Sequence, residues 1–134
     1  MLNDEQRMEL VRGAQEARKG SYSPYSNYAV GATLLSKSGK VYTGANVENA
    51  VYPMSLCAER VAVFKAVSSN DRDFEAIAVV TRDGGSPCGA CRQVLSEFGL
   101  ETVVLIANES GKVLEETTVG DLLPGAFGPS NLES

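Results

Sequence analysis

The fold of this chain is decided by a short, almost wholly apolar run, Ala76-Ile77-Ala78-Val79-Val80-Thr81. A run of this length without polar alternation is typical of a central strand that is buried on both faces. A second run of the same kind occupies residues 102–107. Between the two, a helix is expected to begin at Pro87 and Cys88 and to end near Phe98. The middle of the chain therefore predicts strands that alternate with helices.

The segments on either side extend this sheet. Residues 28–36 and 40–47 read as two strands, and the short connection between them predicts an antiparallel hairpin. Residues 112–117 should return antiparallel, because the connection after residue 107 is too short for a parallel crossover. Together the strands predict one domain over residues 1–134, an α/β fold with three layers (α/β/α) and a mixed sheet of about five strands.

Two further helices are expected to cover the sheet. The first runs from Asp4 to Arg18 with Met8 in its apolar stripe, and the second runs from about Cys57 to Val67 with Phe64 and Lys65 on its buried face. A short helical turn is expected at residues 119–123, followed by an irregular tail from Pro124.

Composition narrows the class of protein. The chain has 134 residues, 43% of them hydrophobic and 22% charged, with a formal net charge of −5. An acidic chain without a cluster of basic residues is not expected to bind nucleic acid. No apolar run is long enough to predict a membrane span, and the first five residues do not resemble a secretory signal. We therefore expect a cytoplasmic protein without a membrane partner.

The chemistry is concentrated in three cysteines. Cys57 lies about thirty residues before Cys88 and Cys91, and the chain contains no other cysteine and no histidine. Three thiolates hold one zinc ion and leave a fourth position for water, which is the arrangement of a catalytic zinc site and not of a structural one. Glu59 is placed to move protons for that water. The pattern therefore predicts hydrolysis at one zinc ion per chain.

Two arginines lie beside these ligands. Three thiolates around one Zn²⁺ leave a net negative charge, and one or both of Arg60 and Arg92 are expected to compensate it by donating hydrogen bonds to sulfur. The alternative is that each is an ordinary surface arginine on a helix. Glu59 likewise has a simpler interpretation, since a carboxylate in the first turn of a helix is favoured by the helix dipole.

Other interpretations of the cysteines remain open at this point. They include a redox pair of the thioredoxin kind, which would leave Cys57 unexplained, and buried thiols that act only as small hydrophobic residues. A structural zinc with a carboxylate as fourth ligand, or a zinc-stabilised binding module without catalysis, would also fit the three thiols.

A family resemblance then joins these residues to others. The Cys57-Ala58-Glu59 and Pro87-Cys88-Gly89-Ala90-Cys91 motifs are shared by zinc nucleobase deaminases. Two more segments, 46–50 (Asn-Val-Glu-Asn-Ala) and 122–127 (Leu-Leu-Pro-Gly-Ala-Phe), narrow the likeness. The chain resembles cytidine deaminases of the small, homotetrameric, zinc-dependent type over nearly its whole length. That resemblance implies hydrolysis of cytidine and deoxycytidine to uridine and deoxyuridine with release of ammonia, as in pyrimidine salvage.

The resemblance also assigns roles to individual residues. It implies that Asn46 and Glu48 bind the sugar hydroxyls, and residues 46 and 48 of one strand share a face. It implies that Tyr28, where the family usually has phenylalanine, stacks on the pyrimidine, and that the backbone of Ala58 contacts the base edge. It further implies a homotetramer with shared active sites, in which Tyr52 and Phe127 complete the pocket of a neighbouring subunit.

The distribution of charge argues against two of the alternative classes of substrate. Another aminopyrimidine, such as a nucleoside antibiotic, remains possible on the sequence alone. Nucleotides are disfavoured because no cluster of arginine and lysine is evident to hold a phosphate. Editing of nucleic acid is disfavoured by the acidic composition.

Overall fold

The computed structural model of the chain describes residues 2–133. The helices and strands follow one another as α1 (Asp4–Arg18), β1 (Gly31–Ser36), β2 (Val41–Ala45), α2 (Ala58–Ser68), β3 (Phe74–Val80), α3 (Gly89–Ser96), β4 (Val103–Ala107), β5 (Val113–Thr118) and α4 (Val119–Leu122). Within these residues, no helix combines the length and the apolar character needed to cross a membrane.

The five strands form one mixed sheet in the order β2-β1-β3-β4-β5. β1 pairs antiparallel with both β2 and β3, and β5 pairs antiparallel with β4. β3 and β4 are the parallel pair, and α3 forms the crossover between them. The mixed five-stranded sheet and its two predicted antiparallel returns are confirmed.

β3 is buried on both faces, which is why its sequence is continuously apolar. Ala76, Ala78 and Val80 pack against α1 on one face. Ile77 and Val79 point to the other face, where they join a core that includes α2, α3 and α4. Because successive side chains of a strand alternate between faces, one run of residues supplies both cores. The three-layer architecture is therefore as the sequence predicts.

The expected helical faces are partly wrong. Met8 is 61% exposed and Phe64 is 43% exposed, whereas both were expected to be buried. Lys65 is also exposed, and its Nζ donates to the Thr43 carbonyl over 2.7 Å. The buried face of α2 is formed instead mainly by small residues, which let the helix lie close to the sheet (Ala58, Glu59, Ala62, Val63 and Ala66). The tail expected to be irregular contains a 3₁₀ turn at Pro129–Leu132.

α2 lies directly against β2 at Gly44. A Cβ atom at this position would be 2.4 Å from the carbonyl oxygen of Ala58 and 2.7 Å from the amide nitrogen of Ala62. These separations are far shorter than any van der Waals contact, so only glycine permits this approach. The absence of a side chain at Gly44 thus fixes where the first turn of α2 stands.

Candidate metal centre and substrate cavity

Three sulfur atoms meet at the N-terminal ends of two helices. Cys57 immediately precedes α2, Cys88 immediately precedes α3, and Cys91 lies in the first turn of α3. The Sγ atoms all lie within 4.8 Å of one another. Cys57 Sγ is 3.8 Å from Cys88 Sγ, which is 3.5 Å from Cys91 Sγ. The predicted ligands are therefore brought together although about thirty residues separate the two motifs.

This donor set fits zinc. Thiolates select soft or borderline metals, and three of them on two helix ends leave room for a further ligand. Neither Cys57 nor Cys88 makes the side-chain hydrogen bond that usually caps a helix, so both sulfurs remain free of that task. Helix N-termini also carry partial positive charge that favours thiolates.

The electrostatics of the three thiols call for a cation. Hydrogen bonds from the Cys91 thiol, and then from the Arg60 guanidinium, lower the pKa of Cys57 to about 5. The interaction with Cys57, together with burial, raises the pKa of Cys91 above its ordinary value. One thiolate therefore forms readily, but its charge opposes the ionisation of the next. A divalent ion between them removes that conflict.

Arg60 is the arginine that touches sulfur. Its Nη2 lies 3.3 Å from Cys57 Sγ, and its Nε is buried without a hydrogen-bond partner among the described residues. Arg92 does not meet the expectation: its guanidinium donates to oxygen atoms of Pro87, Ser86 and Leu122 over 2.8 Å each. Through these bonds Arg92 ties the segment before α3 to α4.

Glu59 is the second residue of α2 and is almost fully buried, with 4% of its surface exposed. Burial raises the pKa of Glu59, and the negative charge of Cys57 adds to this effect. A carboxyl group with a raised pKa can both accept and return a proton near neutral pH. Its side chain lines a cavity that Cys57 and Cys88 also line.

That cavity has a volume of about 300 Å³, within the range of small-molecule sites. Its walls come from four parts of the chain: residues 26–30, the segment after β2, the start of α2, and the end of β3 with the loop before α3. The cavity therefore lies at the end of the sheet where the metal ligands also meet.

Asn46 and Glu48 both line the cavity, as their shared face predicts. They lie just beyond β2 in an extended segment. Val47, between them, forms backbone bridges to Tyr22 on one side and to Leu56 on the other. Asn46 is also a structural hub. Its Oδ1 accepts from Ser21 Oγ and from Val30 N, and its Nδ2 donates to the Tyr28 carbonyl over 2.8 Å.

Glu48 is held by the loop that precedes Tyr28. Its Oε1 accepts from the amides of Tyr25 and Ser26 at 2.9 and 3.1 Å, and its Oε2 accepts from the Ser26 hydroxyl. These hydrogen bonds, led by that of the Ser26 hydroxyl, lower the pKa of Glu48. The carboxylate is thus charged and fixed in place at the cavity wall.

Tyr28 lines the same cavity, and its hydroxyl has a partner that sequence reasoning did not find. Tyr28 donates to Asp83 Oδ1 over 2.6 Å, and the Arg82 guanidinium lies 5.4 Å from the centre of its ring. Partial burial, followed by the bond to Asp83, raises the pKa of Tyr28, so the hydroxyl keeps its proton. Asp83 is 55 residues away, and no local signal in the sequence connects the two.

Three further predicted residues, Ala58, Tyr52 and Phe127, do not line this cavity. Ala58 is fully buried at the first position of α2. Tyr52 is 69% exposed, and its ring centroid lies 5.7 Å from that of Tyr25. Phe127 is 58% exposed, and its carbonyl accepts from Gln93. The roles implied for these three residues stay predictions.

Comparison with known proteins gives one consistent result. A sequence profile described as the cytidine and deoxycytidylate deaminase zinc-binding region matches residues 4–107. Cytidine deaminase of Halalkalibacterium halodurans is 52% identical over 124 residues, covering 90% of this chain and 93% of that protein. Cytidine deaminase of Sporosarcina psychrophila is 50% identical over 126 residues, covering 92% of each. The crystal structure of cytidine deaminase from Burkholderia pseudomallei matches with a TM-score of 0.86 at 46% identity, covering 94% of this chain and all of that one.

Proposed function

Because the chain belongs to the family of cytidine and deoxycytidylate deaminases that share this zinc-binding region, we propose that it converts cytidine to uridine and deoxycytidine to deoxyuridine by hydrolysis. The observation that carries the proposal is the meeting of three sulfur atoms within 4.8 Å beside the buried carboxyl group of Glu59. An open three-thiolate site next to a proton carrier is suited to hydrolysis, whereas a structural zinc site has four protein ligands and needs no proton carrier.

Cys57, Cys88 and Cys91 are the groups that hold the ion, one per chain. A zinc ion bound there supplies a Lewis acid that lowers the pKa of a water molecule toward neutrality. Arg60 offsets part of the negative charge of the three thiolates through its contact with Cys57. Without that offset, the electron-rich sulfurs would weaken the acidifying effect on water.

Glu59 moves the protons. Its carboxylate takes a proton from the attacking water and delivers it to ring N3 of the pyrimidine, which makes C4 electrophilic. The oxygen then forms a bond to C4, and the resulting tetrahedral carbon loses its amino group. Glu59 passes the second proton of the water to that leaving group, so the products are the uracil nucleoside and ammonia. The burial of Glu59 supports this cycle, because the raised pKa lets the carboxyl group both accept a proton and give it up again.

The substrate is positioned by the walls of the cavity. Asn46 has a free amide hydrogen after its bond to Tyr28, and Glu48 is a fixed carboxylate, so the pair offers a donor and an acceptor to sugar hydroxyls. Tyr28 offers a ring face to the pyrimidine. A contact between the backbone of Ala58 and the edge of the base is part of the same proposal, because the first amides of a helix have no partner within it.

Assembly into a homotetramer follows as part of the same proposal. Tyr52 and Phe127 are exposed in the single chain, and Val51 and Met54 beside Tyr52 are exposed as well. A cluster of this kind is suited to contact between subunits, through which Tyr52 and Phe127 would reach a neighbouring cavity. A cytoplasmic location is also proposed, because the three free thiols must stay reduced in order to bind metal.

The test uses the purified protein and cytidine. Ammonia release and the ultraviolet change of the pyrimidine are followed with and without a chelator, and zinc is measured by elemental analysis. We expect turnover that disappears with the metal and returns when zinc is restored. A nucleoside antibiotic with an aminopyrimidine base is assayed in parallel, and turnover of that compound alone would refute cytidine as the substrate. Gel filtration at the mass of one 14.2 kDa chain with full activity would contradict the shared sites.

A further inference from the structure

Three residues of the loop at 82–85 lie against Tyr28. Asp83 Oδ1 accepts the hydrogen bond of the Tyr28 hydroxyl over 2.6 Å. The Arg82 guanidinium lies over the Tyr28 ring at 5.4 Å from its centroid. A Cβ atom at Gly85 would be 2.6 Å from the hydroxyl oxygen, so the hydroxyl reaches this place only because residue 85 is glycine. We propose that this loop, through Asp83, orients the Tyr28 ring for the pyrimidine and thereby sets the affinity for substrate; the proposal rests on the deaminase function given above.

The loop is itself anchored to the sheet. Gly85 N donates to Thr81 Oγ1 over 2.7 Å, and Thr81 Oγ1 donates to Asp83 Oδ1 over 3.4 Å. Thr81 directly follows β3, the central strand. Asp83 is therefore fixed relative to the core, and a hydrogen bond to it fixes the hydroxyl end of Tyr28 in turn.

The other end of Tyr28 is fixed by the cavity itself. Its carbonyl accepts from Asn46 Nδ2 over 2.8 Å. A tyrosine ring held at its backbone and at its hydroxyl keeps little rotational freedom. Ring orientation matters here because stacking on an aromatic base depends on the angle and offset of the two rings.

Arg82 lies where it does not compete with the base. Tyr28 is among the residues that line the cavity, whereas Arg82 is not. The guanidinium is thus not part of the cavity wall, and the part of the ring that lines the cavity is left for stacking. A cation over an aromatic face is attractive, so Arg82 adds to the hold of the loop on the ring.

Asp83 and Arg82 are positioning residues, because they act on the substrate only through Tyr28. The loop ends close to Cys88, so a purely structural role would be seen in metal content or stability. A positioning role would be seen instead in the affinity for pyrimidine nucleosides. This difference gives the test its readout.

The experiment compares four variants of the full-length, zinc-loaded protein. Tyr28→Phe removes the hydroxyl and Asp83→Leu removes the acceptor, while Asp83→Asn keeps an acceptor oxygen. Tyr42→Phe is the matched control, because Tyr42 also donates to an aspartate, Asp71, over 3.0 Å but does not line the cavity. KM and kcat for cytidine, the inhibition constant of uridine, zinc content and thermal stability are measured for each.

We expect Tyr28→Phe and Asp83→Leu to raise KM and the uridine inhibition constant by up to roughly tenfold each, because a ring that is no longer held must be immobilised when the substrate binds. Their kcat should change far less, and the double variant should be no worse than either single one, because both remove the same bond. Asp83→Asn should recover most of the affinity. Tyr42→Phe should lower stability without changing KM.

Two results would contradict the role of the loop. An unchanged KM and uridine inhibition constant in Tyr28→Phe, or additive losses in the double variant, would overturn the proposal. If Asp83→Leu loses its zinc, Tyr28→Phe decides alone, because that change leaves the loop residues intact. A wild-type protein that does not deaminate cytidine refutes the proposed function itself, whereas active protein with insensitive variants refutes only the role of the loop.

Discussion

Replacing Gly44 by alanine should displace the catalytic end of α2. The new Cβ would stand 2.4 Å from the carbonyl oxygen of Ala58, where ordinary van der Waals contact begins near 3.4 Å, so the helix must retreat by about 1 Å. The two nearest neighbours of the Cβ are backbone atoms and the third is the Cβ of Val61 at 3.0 Å, so no side-chain rotation can relieve the clash. Cys57 and Glu59 flank Ala58, so the displacement reaches a proposed metal ligand and the proposed proton carrier together.

The expected effect on activity is large compared with the effect on folding. A misplacement of about 1 Å in a catalytic arrangement costs on the order of 100-fold in rate. Overpacking of a buried contact typically costs about 1–3 kcal/mol in the free energy of unfolding. We therefore expect Gly44→Ala to fold, to lose about two orders of magnitude in kcat/KM for cytidine, and to release zinc to a chelator more quickly.

The assays are steady-state turnover of cytidine, zinc stoichiometry and urea denaturation. Gly89→Ala is the matched control: it is the same exchange at the start of the other ligand-bearing helix, but a Cβ there meets no atom within 4 Å. That control should keep its activity and its stability. Wild-type kcat/KM and wild-type unfolding free energy in Gly44→Ala would show that α2 tolerates the shift and that the reasoning is wrong.

Three further predictions concern single side chains. Glu59→Gln should retain zinc but lose about 100-fold or more of its turnover, because the amide cannot carry protons; equal turnover would remove Glu59 from the mechanism. Arg60→Gln should speed the transfer of zinc to a colorimetric chelator, since Cys57 loses its charged donor; an unchanged transfer rate and kcat would remove that role. Asp71→Asn should lower the melting temperature at neutral pH, because hydroxyls, led by that of Ser36, bind the Asp71 carboxylate and hold its pKa below its ordinary value. The contribution of this carboxylate to the stability of the fold should disappear as the pH falls through the lowered pKa, so the melting temperatures of wild type and variant should converge in acid.

The sequence predicts the sheet and the meeting of the three cysteines well because both depend on local signals. The apolar run at 76–81 has no room for a polar face, and a strand of that kind is a central one. The cysteines are equally informative, because few arrangements use three thiols and a glutamate at this spacing. Helix starts at Cys57 and Cys88 then place the ligands together once the sheet order is known.

Side-chain partners across the fold were beyond the reach of the sequence. Arg92 was one of two arginines expected to contact sulfur, but its three side-chain nitrogens all donate to oxygens, among them the Leu122 carbonyl thirty residues away. Tyr28 and Asp83 meet only because β1 and β3 are neighbours in the sheet. Phe64 was expected in the core because it is large and apolar, whereas α2 packs through alanines and leaves Phe64 outside. Such details depend on packing geometry, which periodicity does not determine.

The two cysteines that open α2 and α3 have a consequence for how the protein matures. Neither supplies the customary hydrogen bond to its own helix, so these termini depend on something else to keep them from fraying. An ion bound by both cysteines would link the starts of the two helices to each other. Metal binding would then stabilise these helix termini as well as enable the reaction. Newly made chains in metal-starved cells should then be more easily digested by proteases near residues 55–60 and 85–90 than chains that have bound the ion.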